Sequence, residues 1–397
     1  SSDLSDFSWT LDNLIYYDKE FGKHSVGLTL LQSATGYHYE ESSMAAEGIP
    51  LESAKWNALS KENVSLLDEW NSGLIEKQLL SYMFRVNYDY NNKYLLTVSG
   101  RWDGASQLAE GNKWAFFPSA ALGWRLDQEE FLKDVTWLNQ LKFRLGVGVT
   151  GNSAIDPYQT KGAIVSLYYP FGSALAPGYA ASEPLIKDGA VAMANKNLSW
   201  EKTTQYNIGL DYSVLNGRIS GVLDFYTSRT TDLLMAMTIP SLNGYTNTYA
   251  NVGKTSNIGV DITLNTVNVK TRDFEWSTSI NAAWQKDKID ELANGKEDDI
   301  NNNWFIGQAL GVIYGYECGG LWKEEDAAEM AKFNAKGHSF QAGMVRPIDQ
   351  NGDYKIDPND DRVIIGHTRP RWTFGMTNTF TYKNFDQIGR ASCRERV

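Results

Sequence analysis

Residues 349–360 concentrate oxygen donors at a spacing that chemistry can use. Asp349, Asn351, Asp353, Asp357 and Asp360 fall at positions 1, 3, 5, 9 and 12 of a calcium-loop pattern, with the Lys355 carbonyl at position 7. Two residues depart from that pattern. Tyr354 stands where the loop calls for glycine, and Asp360 stands where a bidentate glutamate would close the shell. The flanks do not read as paired helices. Two readings follow. One is a weak calcium site built from Asp349, Asn351, Asp353, Lys355, Asp357 and Asp360. The other is an Asp/Asn/Gly turn whose charge Arg346 and Arg362 neutralise without metal.

Other motifs lack the context their chemistry needs. Gly146, Gly148 and Gly151 match a dinucleotide fingerprint, but the residues that follow do not promise a helix to hold a pyrophosphate. They read better as small inward positions on a strand. Gly253, Lys254 and Thr255 resemble the end of a P-loop, but Thr248 occupies the place of its first glycine. His24, His38, His338 and His367 lack zinc spacing, GxSxG is absent, and no carboxylate pair is placed across a cleft by sequence. The chain is therefore not expected to be an enzyme, and no cofactor is required beyond possible calcium.

The elements that would position any site read as strands. In 257–265, Ile258, Val260, Ile262 and Leu264 alternate with Gly259, Asp261, Thr263 and Asn265. In 274–285, Trp276, Ile280 and Trp284 alternate with Ser277, Asn281 and Gln285. Period-two alternation puts the two sets on opposite faces of a sheet. About eleven strands are expected, near 7–17, 24–37, 77–90, 93–103, 114–126, 141–151, 200–213, 218–229, 256–269, 273–286 and 372–383. Short links (88–93, 215–218, 269–273) alternate with long ones (40–69, 151–198, 230–254, 288–371), the habit of an antiparallel transmembrane barrel with long outer loops. Polar inward residues such as Asp211, Asp224, Asp261 and Asn281 imply a wet or plugged interior. A soluble β-sandwich would have more even spacing and a drier inner face. Helices are expected at 321–336 and, more weakly, at 128–138.

Composition agrees with this class. The net charge is −11, which argues against a nucleic-acid surface. No apolar run is long enough for a membrane helix, but a barrel hides its apolar face in alternate residues. The chain has 13 Trp and 21 Tyr, and several of these rings fall near strand ends. Tyr94, Trp102, Phe116, Phe117, Trp124, Trp276, Trp284 and Trp372 suit interfacial girdles. Aromatics in the long links, Tyr168, Tyr169, Phe171, Trp304, Phe305 and Trp322, are the better candidates for binding substrate. The two cysteines, Cys318 and Cys393, suggest neither a disulfide framework nor a metal cluster.

Residues 388–397 correspond one for one to a common sequencing adapter read in frame. The expected division is thus 1–386 as a partial barrel domain and 387–397 as a non-native tail. The start, Ser1-Ser2-Asp3-Leu4, has no leader-like features, so the chain is expected to come from the middle of a longer gene.

Several motifs resemble the SusC/RagA-like TonB-dependent outer-membrane transporters. They are Asn91-Asn92-Lys93-Tyr94-Leu95-Leu96-Thr97-Val98-Ser99 with Arg101-Trp102-Asp103-Gly104; Phe117-Pro118-Ser119 with Leu122-Gly123-Trp124-Arg125; Val149-Thr150-Gly151-Asn152; Trp200-Glu201-Lys202-Thr203-Thr204-Gln205-Tyr206-Asn207-Ile208-Gly209; and Asn251-Val252-Gly253-Lys254 with Asn257-Ile258-Gly259-Val260. The acidic segment ending Asp361-Arg362 and the strand after Trp372 continue the match. Trp102 and Ala105 depart from it at a loop mouth. The resemblance implies an all-β fold, here an incomplete open part of a barrel of about 22 strands. It implies a multi-pass protein of the Gram-negative outer membrane that imports oligosaccharides or peptides. A SusD-like surface lipoprotein and the TonB–ExbB–ExbD complex would be its partners, the latter acting through an upstream region. A binding or adhesion barrel that transports nothing is the alternative.

Overall fold

The computed structural model describes residues 2–47, 66–161, 164–171, 174–181, 192–240 and 247–394. Twelve strands make the main sheet. In hydrogen-bonded order they are Ser2–Phe21, His24–Glu47, Leu66–Tyr90, Tyr94–Ala105, Trp114–Arg125, Leu138–Asn152, Glu201–Val214, Ile219–Thr231, Lys254–Lys270, Phe274–Glu291, Trp372–Tyr382 and Phe385–Arg394. This is chain order, the arrangement that hairpin links produce between antiparallel neighbours. By compactness the chain divides into two units. One contains Ser1–Thr136, Gln140–Leu210 and Ser228–Gly253; the other contains Trp137–Asn139, Asp211–Thr227 and Lys254–Val397.

In the first unit, register turns alternation into two chemically distinct faces. Tyr82 pairs with Trp102 and Trp102 with Phe116; Tyr90 pairs with Tyr94 and Tyr94 with Trp124. These two aromatic rows lie eight residues apart on each of three strands. Eight residues span about 26 Å along a strand. A tilt of about 40° reduces that to a height of about 20 Å, close to the apolar band of an outer-membrane barrel. Between the rows the same face carries Phe84, Val86, Leu96, Val98 and Leu122. The rings also touch across strands: Trp102 and Phe116 centroids are 4.3 Å apart, and Tyr90 and Tyr94 centroids 6.4 Å apart. On the edge strand, Trp9 and Tyr17 repeat the interval. Trp9 lies so close over Gly36 that a Cβ there would be 2.3 Å from the indole nitrogen, which reserves the position for glycine.

The opposite face of this unit is polar and internally bonded. Arg101 donates through Nε to Asp103 (2.6 Å) and through Nη2 to Ser81 Oγ (2.9 Å). Thr97 donates to Asn87 at 3.0 Å, and the Ser99 and Ser119 hydroxyls are 2.7 Å apart. At the long-link end this face gains a small dry core of Ala105, Leu108, Phe117 and Trp200. Phe117 is therefore an inward core residue and not a girdle ring; it is 7% exposed, and its phase is opposite to that of Phe116. Gly146 and Gly148 share the inward phase with their partners Ala121 and Ser119. Gly151 lies under the Phe117 ring, where a Cβ would approach to 2.1 Å.

The second unit repeats the scheme. Trp276 pairs with Phe380 and Trp284 with Trp372, again eight residues apart on each strand. Val260, Ile262 and Leu264 share one phase with Trp284, Ala282 and Ile280. Asp261, Thr263 and Asn265 take the other, where Thr263 donates to Asn281 at 3.1 Å. Lys254, which mimics a P-loop lysine in sequence, pairs with Glu291 at 2.6 Å.

The structure corrects several expected boundaries. Strands His24–Glu47 and Leu66–Tyr90 run about ten residues past the expected ends. Pairing there continues through the backbone, Tyr37 to Lys77 and Glu41 to Gly73, where neither face is uniformly apolar and alternation gives no signal. Residues 48–65, the rest of that link, lie outside the described residues. The strand Phe385–Arg394 pairs with Trp372–Tyr382 through its backbone, with every residue exposed, so packing does not specify its side chains. The helix expected at 321–336 is Ala327–Ala335 after a 3-10 turn, Glu324–Asp326. The segment 128–138 carries 3-10 turns in place of a helix, Leu126–Gln128 and Glu130–Leu132.

The phase assignment has a direct test. In the full-length protein, Ile262→Arg puts a charge on the apolar face and is expected to cost about 2–4 kcal/mol. Asp261→Asn, on the polar face, should cost well under half of that. Unfolding of the two variants in detergent micelles or liposomes measures the difference, and equal costs would reject the assignment.

Candidate functional site

The long link between Phe274–Glu291 and Trp372–Tyr382 is built, not loose. Val312–Tyr316 pairs with Arg362–His367, and Cys318–Leu321 pairs with Val345–Pro347. Helix Ala327–Ala335 buries Met330 and Phe333, one turn apart, against Trp322, with Phe340 and Ile356 around them. Arg346 lies 4.6 Å over the Trp322 ring, and its Nη2 is 2.9 Å from both Glu329 carboxylate oxygens. His338 accepts the Ile356 N–H at 2.9 Å and stacks on Phe340.

The acidic run packs against this nucleus, with its oxygens committed to backbone amides. Asp349 accepts from Gly352 and Tyr354 (both 2.7 Å), Asn351 from Asp353 (3.0 Å), and Asp353 from Lys355 (2.8 Å). Asp357 accepts from Asn359 (2.9 Å) and Asp360 (3.2 Å), and its other oxygen is 3.0 Å from the Lys355 ammonium. These amide caps leave each carboxylate further lone pairs, so the arrangement is compatible with the calcium reading of Asp349, Asn351, Asp353, Lys355, Asp357 and Asp360. Among the described residues no group of three or more His, Cys, Asp or Glu is placed to hold a metal. Charge relief differs from expectation. Arg346 serves Glu329, and Arg362 donates to the Pro358 carbonyl and lies over Tyr314. The Lys355 ammonium holds Asp357 below the usual carboxylate range, and Asp357 in turn raises Lys355.

Sequence reasoning missed the residue that organises this run. Asp361 is fully buried and accepts from Gln350 N–H (2.9 Å) and Asp357 N–H (2.8 Å), tying the two ends of the turn together. Its signal was its place: the last acid before a strand, where an unpaired carboxylate would have no reason to be buried.

The aromatic candidates separate. Trp322 is 1% exposed and Phe305 9%; the first is the centre of the local nucleus and the second packs on Tyr314, so neither offers a free ring face. These two are corrected from substrate contacts to packing residues. Trp304 is half-buried, in a tight bridge with Asp299. Tyr168, Tyr169 and Phe171 lie on the hairpin Ile164–Phe171 with Ala174–Ala181, where their backbone register partners are Pro177, Ala176 and Ala174.

At the short-link end, Glu129 gathers three donors: Lys93 Nζ (2.5 Å), Trp124 Nε1 (2.9 Å) and the Tyr94 hydroxyl (2.9 Å). The Lys93 hydrogen bond, followed by that of Trp124, holds its carboxyl below the ordinary glutamate range. A charged clamp thus ties the polar edges of two girdle rings to a link.

Comparison with known proteins agrees with this geometry. Residues 2–390 match the family model described as TonB dependent receptor-like, beta-barrel. TonB-dependent receptor P3 of Formosa agariphila is 32% identical over 94% of this chain and 37% of its own length. TonB-dependent receptor SusC of Bacteroides thetaiotaomicron is 32% identical over 97% of this chain and 37% of its own. The chain thus spans well under half the length of these relatives. Among solved structures, the RagAB peptide importer in its open-open state superimposes with a TM-score of 0.83 at 22% identity, over 99% of this chain and 41% of that one.

Two outcomes are expected for the acidic run in the full-length protein. Asp361→Ala leaves buried amides without an acceptor, at about 1–3 kcal/mol each, and speeds hydrogen exchange at Gln350 and Asp357. Asp357 has a folded-state pKa below its unfolded value. Its contribution is therefore complete above the unfolded value, about 3.9, and is lost as pH falls through the lower folded value. Exchange protection of Asn359 and Asp360 should stay flat from neutral pH to about 4 and decline below it. Protection that rises on adding calcium would support the calcium reading of the run, and protection unchanged by calcium would leave the turn alone.

Proposed function

The chain belongs to the TonB dependent receptor-like β-barrel family, and from that premise we propose that the full-length protein imports solutes across the outer membrane of a Gram-negative bacterium. The observation that carries this reading is the pairing of aromatic rows across an apolar band, with a hydrogen-bonded polar face behind it. That arrangement gives lipid one side and a hydrated passage the other. Oligosaccharides or peptides are the proposed cargo. TonB–ExbB–ExbD would supply the energy, and a SusD-like lipoprotein would work with the barrel at the cell surface. The names of SusC and receptor P3 support TonB-coupled uptake, and the fold shared with the RagAB peptide importer is compatible with either cargo. Tyr168, Tyr169 and Phe171, on a hairpin within a long link, remain the proposed ligand contacts from the aromatic set.

Transport in the parent organism provides the test. Fluorescent oligosaccharides or peptides should accumulate in the periplasm of wild-type cells. Accumulation should fall to background when the gene for this protein, the gene for TonB or that for the adjacent lipoprotein is deleted. Uptake that persisted without TonB would end the import reading.

A further inference from the structure

On the inward face of the first unit, at the long-link end, the segment 106–113 folds over the sheet and does not project from it. Leu108, 1% exposed, is buried with Phe117 and Trp200. Backbone bonds fix the rest: Ser106 N–H to Gln78 O (2.9 Å) and Ala109 N–H to Leu198 O (3.1 Å). Trp200 Nε1 donates to the Lys113 carbonyl at 2.8 Å. The segment is one wall of a cavity of about 810 Å³. Lys77, Lys113, Lys161 and Lys196 line that cavity and are exposed, against the carboxylates of Glu76 and Glu110. Among the described residues none of these four ammonium groups is in an ion pair. Lys77 lies 4.6 Å over the Tyr37 ring.

A second observation marks the same cavity. Tyr158, on its wall, has φ +72°, a conformation costly for an aromatic residue. Its hydroxyl accepts the Glu76 N–H at 3.2 Å, which holds the ring in place. Strain of this kind persists where surrounding structure fixes it, and it gathers at ligand sites.

We infer that this cavity binds an acidic oligosaccharide, one carrying carboxylate or sulfate groups, an inference that rests on the import reading. A chain of net charge −11 repels anions at long range, so four lysines around one recess make a local exception that concentrates them. A ligand with several anionic groups can meet two or more ammonium groups together. Ser106, Gln107 and Thr160 add hydroxyl and amide groups to the walls, which suit sugar hydroxyls better than apolar peptide side chains. The attraction acts through water-exposed ammonium groups and is therefore sensitive to salt.

The purified full-length protein in detergent, titrated with trigalacturonate, tests this. Binding should weaken at least about tenfold between about 20 and 200 mM salt, as screening predicts. Lys113→Gln, Lys161→Gln and Lys196→Gln combined should lower affinity at least about tenfold at low salt and flatten the salt dependence. The matching arginine variant should restore both, which separates lost charge from lost fold. Neutral galactotriose should bind weakly and equally to all three proteins. Equal affinity for the two trisaccharides, an unaffected glutamine variant, or tighter binding of hexaglutamate than of trigalacturonate would each overturn the inference. If trigalacturonate does not bind while energised cells still import a neutral sugar or peptide through the protein, the import reading stands and this inference falls. If no solute is imported, the reading beneath it falls as well.

Discussion

A backbone amide inside a hydrocarbon layer has no water to bond with, so every spanning segment must find its partners in the chain itself. For this protein that constraint sets everything else. Strands satisfy it by pairing with neighbours, pairing imposes a period of two, and the period assigns each side chain to lipid or to the interior. Register is then fixed by chemistry. A slip of one residue along Tyr94–Ala105 would carry Arg101 and Asp103 into lipid and turn Tyr94 and Trp102 inward. The Arg101–Asp103–Ser81 network can form on one phase only, and it locks the phase from the inner side.

Much of the fold was legible because the lipid-facing phase is predominantly apolar, broken by a few hydrogen-bonded polar pairs such as Asn13–Gln32 and Thr278–Asn378. Ile258 to Leu264 and Trp276 to Trp284 announce their faces without help from any alignment. Legibility ended where the environment became aqueous on both sides. The outer parts of His24–Glu47 and Leu66–Tyr90 pair as well as the rest, yet Tyr37, His38 and Tyr39 form no alternating set. Phe116 and Phe117 are an instructive pair. Adjacent rings cannot serve the same face, and the sequence alone did not say which of them turned inward. The eight-residue interval between rings was present in the sequence at Tyr94 and Trp102, at Phe116 and Trp124, and at Trp276 and Trp284, and would have answered that question.

The candidate site was less legible, because spacing of ligand types says nothing about where their lone pairs point. Asp349, Asn351 and Asp353 have the composition of a cation loop, and each also caps a nearby amide, a use that the spacing did not disclose. Trp322 and Phe305 look like loop aromatics by position but lie within a long link that folds its own core. A link of that length can bury side chains, so its aromatics have a structural use available before any ligand arrives. The lysines at 77, 113, 161 and 196 stand far apart in sequence and meet only through tertiary folding, which is why no local motif disclosed them.

The interval between the aromatic rows also acts as a length standard. Rings that prefer the boundary between hydrocarbon and water define a thickness the protein will accept, here about 20 Å by the strand geometry. A typical bilayer core is about 30 Å thick. In such a membrane the lower or upper ring row would be drawn into oil or the lipid forced to thin, at fractions of a kcal/mol for each ångström of mismatch. Summed around a whole circumference, that discrimination is large. The same rings that finish the sheet therefore make the thinner of the two envelope membranes the place where this protein can rest without deforming its surroundings.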